Sequence, residues 1–211
     1  MMLLNSKKKP LPLGRGVVTC MHESVEKLLA NKPFKSFLQT WQEARDGADI
    51  PFRSKIKLKE FAGFAENLVI YQRRGRRDLR YRLTGSQEAE RVDNIGPEVN
   101  LFDLFVPDTL DDAELWWNAL FDQPCGGMMD FSMDYPDGTV REVITLLLPI
   151  KTETERDMIL SLHVIGDLIR LQKPMDHVLV ASDYVVGHYF DIGIGLPEDP
   201  PAYWPYKPRK K

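Results

Sequence analysis

The segment from Met128 to Ile165 constrains the fold most strongly, because it reads as three strands joined by two short hairpins. Residues 129–135 alternate apolar and polar side chains, the period of a strand with one wet face. Pro136-Asp137-Gly138 supplies a turn, and the chain returns through residues 140–150, which are apolar on both faces. A charged hairpin, 151–157, precedes the third strand. The segment therefore predicts an antiparallel meander whose apolar face needs a cover.

An aromatic stripe marks a helix near the N-terminus. The helix is predicted after Asn31, with Pro33 in its first turn and Gly47 at its end. The stripe follows helical spacing and consists of Phe34, Phe37, Leu38, Trp41 and Ala44. Two roles remain open for it. The stripe packs on the protein's own sheet, or Phe34, Phe37 and Trp41 form a homodimer contact.

A basic hairpin is predicted from residue 67 to residue 83. Six arginines lie between positions 73 and 82, in its turn and its return strand. Arginine forks match phosphate and carboxylate oxygens, so Arg74, Arg76 and Arg77 are candidates for contact with an acidic partner or a phosphate. The alternative is a solvated edge hairpin whose charge blunts unwanted strand pairing.

The remaining chain divides around these features. A well-marked helix begins at Pro107-Asp108 and ends before Pro124, while residues 175–190 fit either a strand or a helix. We predict three regions. They are an N-terminal arm with a short helix (1–31), a folded domain (32–166) and a C-terminal extension with a proline-rich basic tail (167–211).

The charge distribution restricts the partners of the chain. Residues 101–165 carry 3 basic and 13 acidic side chains, an unfavourable surface for nucleic acid. No apolar run approaches the roughly 20 residues of a membrane span, and the N-terminus lacks a signal-peptide core. Cys20 and Cys125 are far apart and form no C-x-x-C pair, which favours reduced thiols. We expect a cytoplasmic protein that binds neither nucleic acid nor membranes.

Motifs for catalysis and metal binding are not visible. The four histidines show neither H-E-x-x-H nor any i, i+4 pair, and no serine occupies G-x-S-x-G. His163 lies on a predicted strand, where it is either a hydrogen-bonded or exposed sheet histidine or a ligand of haem iron. We therefore predict no catalytic residue and no metal site. No haem or flavin motif is seen, so any cofactor stays open.

The order of these elements resembles that of a PAS domain. The resemblance covers about residues 34–166 and extends to short motifs typical of a subfamily of stand-alone alphaproteobacterial PAS proteins. Gly85-Ser86 stands where that pattern has Gly-Thr, and Ile150 replaces its usual leucine. The motifs are Trp41 to Arg45, Pro51-Phe52-Arg53, Tyr81 to Ser86, Asn100 to Leu104, Asp137-Gly138 and Leu147 to Ile150.

The resemblance implies an α+β fold and a sensory function. The fold would be a five-stranded antiparallel sheet in the order 2-1-5-4-3, covered by helices on one face and preceded by an N-terminal helix. The cavity of such a domain holds small ligands in relatives, or its residues simply fill a core. Its lining would be Tyr81, Leu104, Trp117, Met129, Phe131, Met133, Leu146 and Leu162.

Two functions follow from the resemblance. The first is a non-enzymatic sensory module that binds a small ligand or a signalling protein, as a homodimer through its N-terminal helix. The second is a ligand-free interaction adaptor that uses the same fold to dock a signalling protein.

Overall fold

The computed structural model describes residues 25–26, 29–91, 96–97, 99–153, 157–198 and 203–204. The predicted arm over residues 1–20 and the basic end of the tail, 205–211, lie outside the described residues. In the part of the chain that the model describes, no helix is long and apolar enough to cross a membrane.

The elements with defined bounds among the described residues are three α-helices, four short 3-10 helices and seven strands. The helices are α1 (Lys32–Ala44), α2 (Ser86–Arg91) and α3 (Leu110–Asp122), and short 3-10 helices span Arg53–Lys55, Ala62–Asn67, Leu101–Leu104 and Pro107–Thr109. The strands are β1 (Leu68–Gly75), β2 (Asp78–Thr84), β3 (Gly126–Asp134), β4 (Thr139–Ile150), β5 (Met158–Leu171), β6 (Leu179–Phe190) and β7 (Tyr203–Trp204).

One antiparallel sheet contains all seven strands, in the order β2-β1-β5-β4-β3-β6-β7. The predicted order 2-1-5-4-3 is confirmed within it. The sheet then continues beyond β3 through β6 and β7. Residues 175–190, which fit a strand or a helix, contain β6, and β5 runs past the domain boundary predicted at residue 166. The sheet thus extends into the region predicted as a C-terminal extension.

The attachment of β6 depends on polar groups as well as apolar ones. The pairing of β3 with β6 shifts register between Phe131 and Met133, and Ala181 takes a left-handed φ of 59° at this irregularity. The buried Ser132 hydroxyl accepts a hydrogen bond from the Asp183 amide at 2.7 Å. An irregular strand of this kind leaves no clean period of two in the sequence.

Each face of the sheet has its own cover. Helix α1 lies over one face and buries the apolar stripe that predicted it: Phe34, Phe37, Leu38, Trp41 and Ala44. The Trp41 indole N–H donates to the carbonyl of Pro149 in β4 at 2.9 Å. Helix α3 and the 3-10 helix Leu101–Leu104 pack on the opposite face. We call these the α1 face and the α3 face.

Candidate functional site

The α3 face collects most of the predicted pocket. Five predicted lining residues surround one small void: Tyr81, Trp117, Met129, Phe131 and Met133. Leu104 is partly buried and packs against the same apolar cluster. The prediction was wrong for Leu146 and Leu162, which lie beneath α1 on the opposite face. Successive side chains of a strand point to opposite faces, so assigning the more apolar face of β4 and β5 to the pocket placed both leucines on the wrong side.

Buried polar side chains complete the lining. We call the set Tyr71, Glu88, Thr145 and His163 the polar cluster. Nδ1 of His163 lies 3.2 Å from Oε1 of Glu88, and Nε2 lies 3.2 Å from the hydroxyl of Tyr71. His163 is therefore a hydrogen-bonded sheet histidine, the first of its two predicted roles. The side chains of Glu88 and His163 are only 1% and 5% exposed, so both are almost completely removed from solvent.

The tyrosines of this face are strongly influenced by burial. Burial raises the pKa of the Tyr71 hydroxyl well above its usual value, and Tyr81 and Glu88 add to the rise. The rings of Tyr71 and Tyr81 are 4.9 Å apart between centroids, and burial followed by the Glu88 charge also raises the pKa of Tyr81. Both phenols consequently stay protonated and can donate hydrogen bonds at neutral pH.

The hydroxyl of Thr145 and the indole N–H of Trp117 also border the void, and neither has a hydrogen-bond partner among the described residues. The void itself measures about 10 Å³, close to the smallest volume that holds one water molecule. A buried polar atom without a partner costs about 1–3 kcal/mol. The arrangement combines a carboxyl–imidazole contact, an indole N–H donor and a hydroxyl around a nearly closed space.

Helix α2 brings Glu88 to the cluster. Glu88 is the one buried side chain among those described for this helix. The helix begins directly after Gly85, where a Cβ atom would lie 2.2 Å from the carbonyl oxygen of Ala65. Gln87 adds a hydrogen bond to Glu66 on the surface. The helix is thus seated by a close backbone contact and by one carboxylate, without a buried apolar side chain of its own.

The arginine hairpin is fastened to α3. Nε atoms of Arg76 and Arg77 lie 2.9 and 2.5 Å from the two carboxylate oxygens of Glu114. Nη2 of Arg77 also lies 2.5 Å from Asp111. These guanidinium groups lower the pKa of Glu114, and Arg74 is exposed and has no such partner among the described residues. A role for Arg74, Arg76 and Arg77 in partner binding stays a prediction.

The aromatic stripe of α1 does not offer an exposed contact. Phe34, Phe37 and Trp41 are at most 1% exposed because they pack on the protein's own sheet, the first of the two roles left open by the sequence. A homodimer through this stripe would require the helix to leave its sheet. Dimerisation itself therefore needs another surface.

No set of three His, Cys, Asp or Glu side chains in the described ranges has the geometry of a metal site. Cys125, predicted to be a reduced thiol, is buried and free, and burial raises the pKa of its thiol. Cys20 lies outside the described residues.

Comparison with known families identifies the fold. The family model of the PAS domain matches residues 29–163, nearly two thirds of the chain. The chain belongs to the PAS domain family. PAS domains are typically non-enzymatic sensory or regulatory modules, and the matched region spans α1 to the middle of β5. No curated protein and no solved structure matches the chain.

Proposed function

We propose that this PAS protein is a sensory module without catalytic activity that recognises a small ligand at the polar cluster. The observation that carries the proposal is the buried Glu88–His163 pair beside the unpartnered groups of Thr145 and Trp117. Polar side chains such as these lose favourable contacts with water when they are buried, and a well-packed apolar replacement of a buried polar pair is often neutral or more stable. The presence of these buried polar groups supports recognition rather than stability, because perturbed and unsatisfied buried groups concentrate at functional sites.

Helix α2 gives the ligand a route to this site. A void of about 10 Å³ admits nothing larger than water, so a ligand must displace a neighbouring element. Met129 and Met133 line the void and can change rotamer, and α2 is held down by Glu88. A ligand that competes for His163 would release Glu88 and move α2. Ligand recognition would thereby become a change at the protein surface.

The signal would pass to a protein partner. In the proposed scheme the module acts in the cytoplasm as a homodimer, and ligand-dependent movement of α2 changes how a signalling protein docks. The polar surface of the arginine hairpin, with Arg74, Arg76 and Arg77, is our proposed docking element. Arg76 and Arg77 already bind carboxylates of α3, so an acidic partner surface would use the same chemistry.

The second candidate function is a ligand-free adaptor. One observation favours it, namely the closeness of the packing around the polar cluster, where the void is water-sized. In that case Glu88 and His163 would hold α2 in a single position. The fold would then serve only as a platform for a protein partner.

A thermal-shift screen against a library of small metabolites separates the two functions. The control is the double variant Glu88→Leu/His163→Leu, which replaces the pair with apolar side chains and is expected to keep the fold. If the protein is a sensor, at least one compound should raise the Tm of the wild type by about 5–10 °C at 100 times its Kd. The same compound should leave the Tm of the double variant unchanged. Equal stabilisation of both proteins, or no stabilising compound, would reject recognition at this cluster.

A further inference from the structure

A second concave site lies away from the polar cluster, at the tip of the β1–β2 hairpin. This groove, which we call the hairpin groove, has a volume of about 620 Å³ and is open to solvent. That volume is within the range of pockets that hold small molecules. Eight residues from the hairpin, α3 and the chain before β5 line it: Arg73, Arg74, Gly75, Arg76, Asn118, Phe121, Asp122 and Asp157.

The arginines of the groove are held in different ways. The guanidinium of Arg73 lies 4.6 Å from the centre of the Phe121 ring, and its Nη1 contacts Asp122 at 2.6 Å and Asn118 at 3.2 Å. Arg76 is oriented by Glu114. Arg74 has no carboxylate partner among the described residues and is exposed. The groove thus contains two oriented guanidinium groups and one available for an external anion.

Asp157 supplies the opposite chemistry. Its side chain is 7% exposed, and its Oδ2 accepts a hydrogen bond from Gln72 at 2.6 Å. Its backbone carbonyl accepts from the amide of Arg73 at 2.8 Å, so the residue is fixed against β1. Its Oδ1 is buried and has no hydrogen-bond partner within the described part of the chain. A carboxylate oxygen in this position requires a donor, because leaving it unpaired costs free energy.

We propose that the hairpin groove binds a small phosphate monoester that also carries a hydroxyl group. The phosphate would bind Arg74, with the oriented guanidinium groups of Arg73 and Arg76 beside it, and the hydroxyl would donate to Asp157. Three arginines against Asp122 and Asp157 give the lining a net charge of +1, which favours an anion. Arginine guanidinium groups bind phosphate oxygens in pairs, and the Asp157 carboxylate would accept a hydrogen bond from the hydroxyl group of the ligand.

This site is separate from the polar cluster, although it shares Arg74 and Arg76 with the docking element proposed above. The groove is formed by side chains of the hairpin, the C-terminal half of α3 and the residue before β5, whereas the polar cluster lies within the α3 face. The double variant Glu88→Leu/His163→Leu should therefore keep phosphate-ester binding. If binding at one site is not observed, binding at the other can still be measured.

Titration of the full chain with ribose 5-phosphate, followed by calorimetry and by amide NMR shifts, tests the proposal. Ribose and inorganic phosphate are the parallel probes, since each carries one half of the required chemistry. Ribose 5-phosphate should bind more tightly than either, with shifts centred on residues 73–76 and Asp157. Arg74→Gln should weaken binding about tenfold or more, and Asp157→Asn should lower the affinity to that of inorganic phosphate.

The matched control is Arg82→Gln, which removes one exposed arginine of the same hairpin that does not line the groove. It should leave the affinity unchanged. Absence of ribose 5-phosphate binding would overturn the proposal, and so would an equal loss in the Arg74 and Arg82 variants, which would mean attraction by general charge. A phosphoserine peptide that binds where ribose 5-phosphate does not would assign the groove to a protein partner and also contradict it.

Discussion

Helices α1 and α2 cover opposite faces of the sheet and are held by different forces. Helix α1 buries five apolar side chains, and the N–H of Trp41 is paired with a backbone carbonyl. Helix α2 buries only a carboxylate among its described side chains. Full burial of a large apolar side chain contributes about 1.5–3 kcal/mol, whereas burial of a polar pair returns little net stability. Helix α1 is therefore anchored by apolar burial, whereas α2 lacks such an anchor among its described side chains.

The largest effect is expected at the α1 face. Trp41→Ala removes a large side chain that is fully buried and leaves the Pro149 carbonyl without its donor. We expect a loss of about 3–5 kcal/mol in the free energy of unfolding, measured by urea denaturation. Trp41→Phe is the control and should lose less, because it keeps most of the volume. A loss below about 1 kcal/mol for Trp41→Ala would mean that α1 does not secure the fold.

The next largest change in stability is expected when Glu88 and His163 are replaced separately. His163→Leu leaves the Glu88 carboxylate buried without its partner, and we expect a loss of about 3 kcal/mol in urea denaturation. Adding Glu88→Leu should restore most of this stability, since no carboxyl group then remains buried without the imidazole. If the double variant is less stable than His163→Leu alone, the pair stabilises the fold, and the contrast between the two helices disappears.

Alkaline pH should act on the α3 face. Burial raises the pKa of Tyr71 and Tyr81 above the ordinary value of 10.0, so the folded state holds their protons more tightly than the unfolded chain. The stability they contribute is complete below pH 10 and falls as the pH rises towards the folded pKa, by about 1.4 kcal/mol per pH unit for each tyrosine.

Urea denaturation across this pH range measures the fall. In the double variant Tyr71→Phe/Tyr81→Phe, the free energy of unfolding should fall less steeply with pH, because two of the contributing phenols are absent. An unchanged slope would show that these tyrosines ionise without unfolding and are less enclosed than the structure indicates.

The smallest change in stability is expected from the replacement of a single hydroxyl group. Thr145→Val replaces the unpartnered Thr145 hydroxyl with a methyl group of nearly the same size. We expect a gain of about 1 kcal/mol in ligand-free protein, because an unsatisfied polar group is removed. A ligand found in the thermal-shift screen should stabilise this variant less than the wild type. Thermal unfolding with and without that ligand measures both. A loss of stability would mean that the hydroxyl is already satisfied.

The sequence predicted the scaffold better than the site. Alternation in residues 129–135 and the spacing of Phe34, Phe37 and Trp41 reflect burial of apolar surface, which leaves a period that can be read directly. Resemblance to PAS domains supplied the strand order. Strand β6 was ambiguous because its register shift near Ala181 interrupts any period of two.

The polar cluster left only a partial signal. Thr145, Ser161 and His163 share one face of two adjacent central strands, and polar residues there could have indicated a polar interior. Glu88 could not be found in this way. A carboxylate on a six-residue helix has the appearance of a solvated residue, and its burial depends on how Gly85 seats the helix against Ala65.

Recognition of a small ligand at the polar cluster is best tested by native mass spectrometry. The untagged protein is exposed to a metabolite extract, and its native mass is compared with its denatured mass. We predict a reproducible excess mass on the wild type that is lost on unfolding. The folded Glu88→Leu/His163→Leu variant should lack this excess mass. Such a difference would place recognition at the polar cluster. A bare wild-type mass, or the same excess mass on both proteins, would contradict the account.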